Sequence, residues 1–197
     1  VPEIWEIATD PNAKPVYDGF VHSHEQGMVE ALAVEQGLFA RRRIRVDQPL
    51  DDFFFDPEYR NLIGSSREGD RGIVVNLIVG KQIAELPLPG MPHLGSGISW
   101  MRDGRRVMAT PHLKEAKLSI IDVTNWSIVK TIDTDGPGFF LRSHEKSPYV
   151  WADVFFGPNK DAMHIIDKSS LAITKTLRPV PGATLAHTEF DRYGRYA

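Results

Sequence analysis

Short apolar runs separated by turn residues set the pattern of this chain. Ile73-Val74-Val75-Asn76, Leu118-Ser119-Ile120-Ile121-Asp122 and Met163-His164-Ile165-Ile166-Asp167 are too short for helices, rich in branched residues and closed by a polar turn residue, so each predicts a strand. After each turn comes a second run, Ile83-Ala84-Glu85-Leu86, Val129-Lys130-Thr131-Ile132 and Thr174-Lys175-Thr176-Leu177, which predicts the second arm of a hairpin. A loop bearing proline and glycine follows every time, at Pro89-Gly90, Gly136-Pro137-Gly138 and Pro181-Gly182. Long helical periodicity is absent.

The pattern repeats, with both sets of strands recurring at shifts of about 46 and then 45 residues. Turn segments Asp56-Pro57-Glu58-Tyr59, Arg102-Asp103-Gly104-Arg105, Lys146-Ser147-Pro148-Tyr149 and Arg192-Tyr193-Gly194-Arg195 open the units. Their anchors Glu58, Asp103, Ser147 and Tyr193 are spaced by 45, 44 and 46 residues. A unit of about 45 residues with four short strands has the dimensions of a β-propeller blade. A sandwich with coincidental hairpin spacing is the competing reading, and it does not account for turn chemistry that matches over three intervals. The expected fold is all-β, a β-propeller of about four blades.

Both ends fall inside a unit, and the last residues read as the start of a further strand. An open arc would leave a sheet edge and an apolar blade face in water. Residues 1–197 are therefore expected to form part of one propeller domain of a longer chain, completed by its missing half or by another copy. Ile4-Trp5-Glu6-Ile7 reads as a strand displaced by about 23 residues from its repeat position, which marks residues 8–52 as a long loop insertion.

Composition narrows the chemistry. With 197 residues, 42% apolar and 25% charged, the chain can bury a core, which excludes disordered and fibrous classes. A net charge of −3 argues against a nucleic-acid binder. The run Arg41-Arg42-Arg43 with Arg45 reads as a solvated face or as a surface for carboxylates. The chain has no cysteine, which excludes disulfides, zinc–thiolate sites, iron–sulfur clusters and thiol nucleophiles. Its seven histidines are left as the groups for ligation or acid–base work near neutral pH.

Four of these histidines lie in loops or at strand ends. They are His93 in Met91-Pro92-His93-Leu94-Gly95-Ser96-Gly97, His112 after Ala109-Thr110-Pro111, His144 in Phe140-Leu141-Arg142-Ser143-His144, and His187 in Leu185-Ala186-His187-Thr188-Glu189-Phe190. A blade-consensus residue would recur at one offset from the anchors, whereas these do not, so a shared ligand on the loop face is the functional reading. Surface or packing histidines are the alternative for each. His164, within a strand, reads as a paired structural residue. His22 and His24 flank Ser23 and could form a metal pair or a solvated loop. No Gly-x-Ser-x-Gly, His-Glu-x-x-His or Walker motif is present. Gly95-Ser96-Gly97 lacks a following helix to hold an anion. Arg142, beside His144, suits a carboxylate.

Four stretches, Asp51-Asp52-Phe53-Phe54-Phe55-Asp56-Pro57, Met91 to Gly97, Gly138-Phe139-Phe140-Leu141-Arg142-Ser143-His144 and Tyr149-Val150-Trp151-Ala152-Asp153, resemble the d1-haem propeller family. That family comprises the d1 domain of dihaem nitrite reductase and its relatives in haem d1 biosynthesis, among which the NirF-type proteins are the most similar. The resemblance covers essentially the whole chain and aligns it with the family's C-terminal half. It implies an eight-bladed ring with the macrocycle near the central channel. It implies that His112 and His144 correspond to the distal-pocket pair and so are the catalytic candidates. His93, Gly95, Ser96, Gly97, Arg142 and His187 are then candidates for holding haem d1 or its precursor.

The family's proximal iron-ligating histidine lies in the N-terminal half, and the absence of cysteine here removes a covalent c-type haem. The implied function is haem d1 biosynthesis, in which a late iron-tetrapyrrole precursor is bound and matured by a tetrapyrrole-modifying enzyme. A carrier without chemistry and a propeller interaction scaffold are the alternatives. Implied partners are the missing half of the ring, other haem d1 biosynthesis proteins or nitrite reductase, and a further copy of the chain. The implied setting is the periplasm of a denitrifying bacterium.

Overall fold

The computed structural model describes residues 19–23, 28–35 and 38–197. Its first three strands, β1 (Gly19–Ser23), β2 (Met28–Glu35) and β3 (Leu38–Arg45), form an antiparallel sheet in that order. These residues fall inside the stretch expected to be a loop, which is thereby corrected for them. With no repeat partner, the runs around Val29, Val34, Phe39 and Ile44 lacked a periodic signal, and long-range backbone pairing decides their structure. His22 lies on β1 opposite Val29, and Arg41, Arg42 and Arg43 lie on β3. His24 and the strand expected at Ile4–Ile7 lie outside the described residues.

Three four-stranded antiparallel meanders follow: β4 (Asp52–Phe55), β5 (Asn61–Ser65), β6 (Arg71–Asn76) and β7 (Lys81–Pro87); β8 (Ile98–Arg102), β9 (Arg105–Pro111), β10 (Lys117–Asp122) and β11 (Ser127–Asp133); β12 (Leu141–Ser143), β13 (Tyr149–Asp153), β14 (Met163–Asp167) and β15 (Ala172–Leu177). Each is a blade of a β-propeller, and all six strands read from the repeat are present. The repeat extends to detail. A bulge interrupts the third strand of each sheet, at Val74/Val75, Ile120/Ile121 and Ile165/Ile166. In the hairpin that follows, a side-chain oxygen of Asn76, Asp122 or Asp167 accepts backbone N–H groups of Val79, of Thr124, or of Ser169 and Ser170. The next turn places Gly80, Trp126 or Leu171 in the left-handed region, at φ 73°, 55° and 54°.

The chain divides into two compact units, Val1–Pro87 and Leu88–Ala197. In the first, Ile44, Leu50, Leu62, Ile73, Val75 and Leu77 form the core. In the second, Trp100, Val107, Leu118 and Ile120 of one sheet pack against Leu141, Val150, Ala152 and Ile166 of the next. Polar ties reinforce that packing: Trp100 Nε1–H donates to the Lys168 carbonyl (3.2 Å) and Arg102 Nε–H to the Ser169 carbonyl (2.8 Å). The final residues do not begin a strand. Asp191 Oδ1 accepts the N–H groups of Arg195 (2.6 Å) and Tyr196 (3.2 Å), which closes Asp191–Tyr196 into a turn.

Leu141 is fully buried between the two sheets of the second unit. Leu141→Ala is expected to cost about 2–5 kcal/mol through lost burial and a residual cavity. Equilibrium urea unfolding of the full-length protein reads this as a lowered midpoint.

Candidate functional site

In the second unit the antiparallel order puts the connections β7–β8, β9–β10, β11–β12 and β13–β14 at one end of the sheets, together with the segment after β15. That end gathers His93, Phe139, Phe140, Asp153 and His187. The key bend is Gly136-Pro137-Gly138. A Cβ at Gly138 would lie 2.8 Å from the Asp153 carbonyl oxygen and 3.3 Å from Pro111 Cβ, so only glycine permits this close approach. The approach lets Asp153 Oδ1 accept the N–H groups of Phe139 (2.7 Å) and Phe140 (3.0 Å). Asp153 Oδ2 is buried with no hydrogen-bond partner. Burial, the largest cause, raises the Asp153 carboxyl above the ordinary carboxylate range, against the opposing pull of the two N–H groups, His187 and His93.

The two phenylalanines carry an unbroken line of rings. His93 lies 4.4 Å from Phe139 between centroids, Phe139 4.6 Å from Phe140, and Phe140 4.6 Å edge-on from His187. Phe155 adjoins Phe139 at 5.2 Å. Past Phe140 the chain enters β12, where alternate side chains share a face. Phe140, Arg142 and His144 consequently stand in a row, while Leu141 points into the core. The segment after β15 meets this row. Arg142 Nη2 donates to His187 Nε2 (2.5 Å), which makes the ring neutral with its proton on Nδ1, and Nδ1–H donates to Glu189 Oε1 (3.0 Å). His144 Nδ1 accepts the Lys146 N–H (3.1 Å), and its ring lies 6.2 Å from Phe190. A Cβ on Gly194 would collide with that ring. His187 adopts φ 58°, in the left-handed region that residues with a Cβ uncommonly occupy.

His112 is placed differently. It is fully buried; its Nδ1–H donates to the Pro89 carbonyl (2.6 Å), and its Nε2 accepts from the Ser119 hydroxyl (2.9 Å). Burial is the main cause that pushes its pKa down to about 4, so the ring is neutral in one tautomer. Backbone bonds tie the neighbouring loop to it: Pro92 bridges to His112, and His93 N–H donates to the Pro111 carbonyl (2.7 Å). The Ser96 hydroxyl donates to the Phe139 carbonyl (2.6 Å), and Gly97 N–H closes a short turn onto Leu94 (2.7 Å), with Gly95 exposed beside it. The strand β8, not a helix, follows.

The structure thus brings His93, Arg142, His144 and His187 onto one aromatic-lined row. It sets His112 and Ser96 behind that row as buried hydrogen-bonded supports. His164, read as a paired strand residue, is buried with Nδ1 on Thr176 Oγ1 (2.8 Å) and Nε2 accepting Asp135 N–H (3.1 Å). Asp153 and Glu189 belong to the site although neither stood among the expected site residues. Asp153 lay in a quoted stretch, and a lone aspartate closing a strand carries no chemical signature before the fold places it. Among the described residues no group of three or more His, Asp or Glu side chains could hold a metal ion. The site fits a flat, carboxylate-bearing organic group: aromatic rings for its faces, a guanidinium for its acids, and an orphaned buried carboxyl oxygen nearby.

Comparison with known proteins supplies the kinship. The Cytochrome D1 heme domain family matches residues 20–197. "Dihydro-heme d1 dehydrogenase" of Pseudomonas aeruginosa is 53% identical over 158 residues, covering 80% of this chain and 32% of the relative. "Protein NirF" of the same organism is 30% identical over 115 residues, covering 58% of this chain and 28% of the relative. The solved "Dihydro-heme d1 dehydrogenase NirN in complex with DHE" superposes with a TM-score of 0.88 at 45% identity, covering 99% of this chain and 41% of that one. The chain therefore spans about a third of the curated relatives it matches. The narrower expectation of a NirF-type protein is not supported, since the NirF match is both less identical and shorter.

Unfolded, the His112 imidazole takes up a proton as the pH falls below 6.5, whereas in the folded protein it resists until about 4. Stability present above pH 6.5 is therefore lost across that window, by up to about 3 kcal/mol. His164, also lowered mainly by burial, acts in the same direction. Urea unfolding at a series of pH values from 7 to 4 is expected to show this decline, and His112→Asn to flatten its slope.

Proposed function

The chain belongs to the cytochrome D1 heme domain family, and from that premise we propose that it forms the C-terminal part of a haem d1 biosynthesis propeller that binds dihydro-haem d1 and takes part in its oxidation to haem d1. The observation that carries this reading is the row from His93 through Phe139 and Phe140 to His187 and Arg142, which is chemically suited to a tetrapyrrole. The 53% identity to a dihydro-heme d1 dehydrogenase supports dehydrogenation over the NirF-type role.

On this reading the aromatic rings face the macrocycle and exclude water from it. The Arg142 guanidinium takes a peripheral carboxylate by charge-assisted hydrogen bonds, at the expense of its contact with His187. When bound, the iron tetrapyrrole would supply the conjugated system to be oxidised, with its two electrons passing to an external electron acceptor and its two protons to bases of the site and to solvent. His187 then has a lone pair on Nε2 and a donor link from Nδ1 to the exposed Glu189, a short path by which a proton can reach solvent. His144, with Nδ1 held by Lys146, presents its other nitrogen as a donor. His112, neutral and locked between Pro89 and Ser119, keeps the loop bearing His93 in place. The remaining blades and the proximal ligand come from the missing half of the ring or from another copy, and the protein works in the periplasm of a denitrifying bacterium.

Titration of the full-length protein with dihydro-haem d1 is expected to give a saturable visible-absorbance change that ordinary haem does not reproduce. Arg142→Ala is expected to weaken binding about tenfold or more, the worth of a lost charged hydrogen bond. Addition of an electron acceptor should then convert the spectrum to that of haem d1. Binding without conversion would identify a carrier instead, and no saturable change would refute the reading.

A further inference from the structure

Asp153 is 2% exposed, closes β13, and divides its two oxygens unequally. Oδ1 accepts two backbone N–H groups, from Phe139 and Phe140, while Oδ2 is buried and unpartnered. Holding the two N–H groups needs one acceptor oxygen and no charge, since an asparagine carbonyl would serve equally well. A buried carboxyl with an orphaned oxygen is a costly way to make that contact, so the charge itself calls for a role.

Two titratable groups face Asp153 electrostatically, from different elements: His93 from the loop before β8 and His187 from the segment after β15. The rings of these same two histidines rest on Phe139 and Phe140. One carboxyl thus grips the backbone that sets both phenylalanines, and both imidazoles rest on those rings. We propose that Asp153 is the positioning residue of the site, its carboxylate holding the Phe139 and Phe140 backbone and so setting the places of His93 and His187 against those rings, without touching the ligand. This inference rests on the tetrapyrrole reading given above. Burial raises the Asp153 carboxyl, so its charge is lost at a higher pH than that of an exposed aspartate, and its grip on the two N–H groups weakens as the solution is acidified.

The test uses the full-length protein with Asp153→Asn, which keeps an acceptor for both N–H groups and removes the charge, and Asp153→Ala, which removes both. In ligand-free protein labelled with carbon-13 at histidine Cε1, the His93 and His187 resonances of wild type are expected to carry an inflection from Asp153 ionisation that Asp153→Asn abolishes. With dihydro-haem d1, Asp153→Asn is expected to bind about fivefold more weakly at neutral pH and to lose the acidic limb of the binding profile, with Asp153→Ala weaker still. If Asp153→Asn matches wild type in both the histidine spectra and the pH profile, the residue is a hydrogen-bond acceptor only and the inference is overturned. If the histidine resonances respond as expected but no variant binds the tetrapyrrole, the positioning role stands and the functional reading falls.

Discussion

The three four-stranded sheets depend on one constraint, that their middle strands bury side chains on both faces. In β10 every residue from Leu118 to Asp122 is buried, and in β14 every residue from Met163 to Ile166. A sheet with two apolar faces is stable only when packed on both, so each blade needs a neighbour. Strands of this kind have no room for ligand chemistry in their interior. The reactive side chains are consequently displaced to the connections and to strand β12, whose outward row is met by the irregular segment after β15. The outer strand β11 leaves most of its side chains exposed and β15 half of them, as outer strands of such sheets require.

Within that frame the second unit works by tethering loops to strands with buried polar groups. Asp153 holds the Phe139–Phe140 backbone, Ser96 holds the Phe139 carbonyl from the other side, and His112 joins Pro89 to Ser119. Each tether buries a polar group that is expensive to leave unpaired, so each loop has one well-defined position. A loop positioned in this way can carry rings whose centroids stay within 5 Å of one another across residues far apart in sequence. The neutrality of His112 follows from the same burial, since a charged imidazole at that depth would lose its hydration.

The fold was legible because the blade repeats. Turn positions Asn76, Asp122 and Asp167, and the branched runs that precede them, recur at an interval that no packing detail can disturb. The sheet β1–β3 was not legible because nothing else in the chain resembles it, and pairing between distant strands leaves no mark on either strand alone. The site was legible in part. Histidines in glycine- and proline-bearing loops pointed to a shared surface, and His93 and His187 do come together on the Phe139–Phe140 rings. What stayed hidden was depth. His112 and His144 look alike in sequence, each a histidine at a strand end, yet one is sealed in the core and the other lies on the open row of β12. Depth depends on which neighbouring sheet covers a residue, and that is decided by tertiary packing.

His187 shows how such a site is maintained at a local cost. Its left-handed backbone is unfavourable by on the order of 1 kcal/mol for a residue with a Cβ, so the segment would not adopt it unaided. The conformation turns the imidazole toward β12, where Arg142, Glu189 and the edge of Phe140 hold it from three directions. These contacts lie partly in solvent, and each is worth little alone. Together they offset the strain, yet a ligand carboxylate competing for Arg142 would withdraw one of them. The binding of an acidic group at Arg142 and the orientation of His187 are therefore linked through a single guanidinium. On the proposed reading, the histidine best placed to move a proton is the one whose surroundings would change on ligand binding.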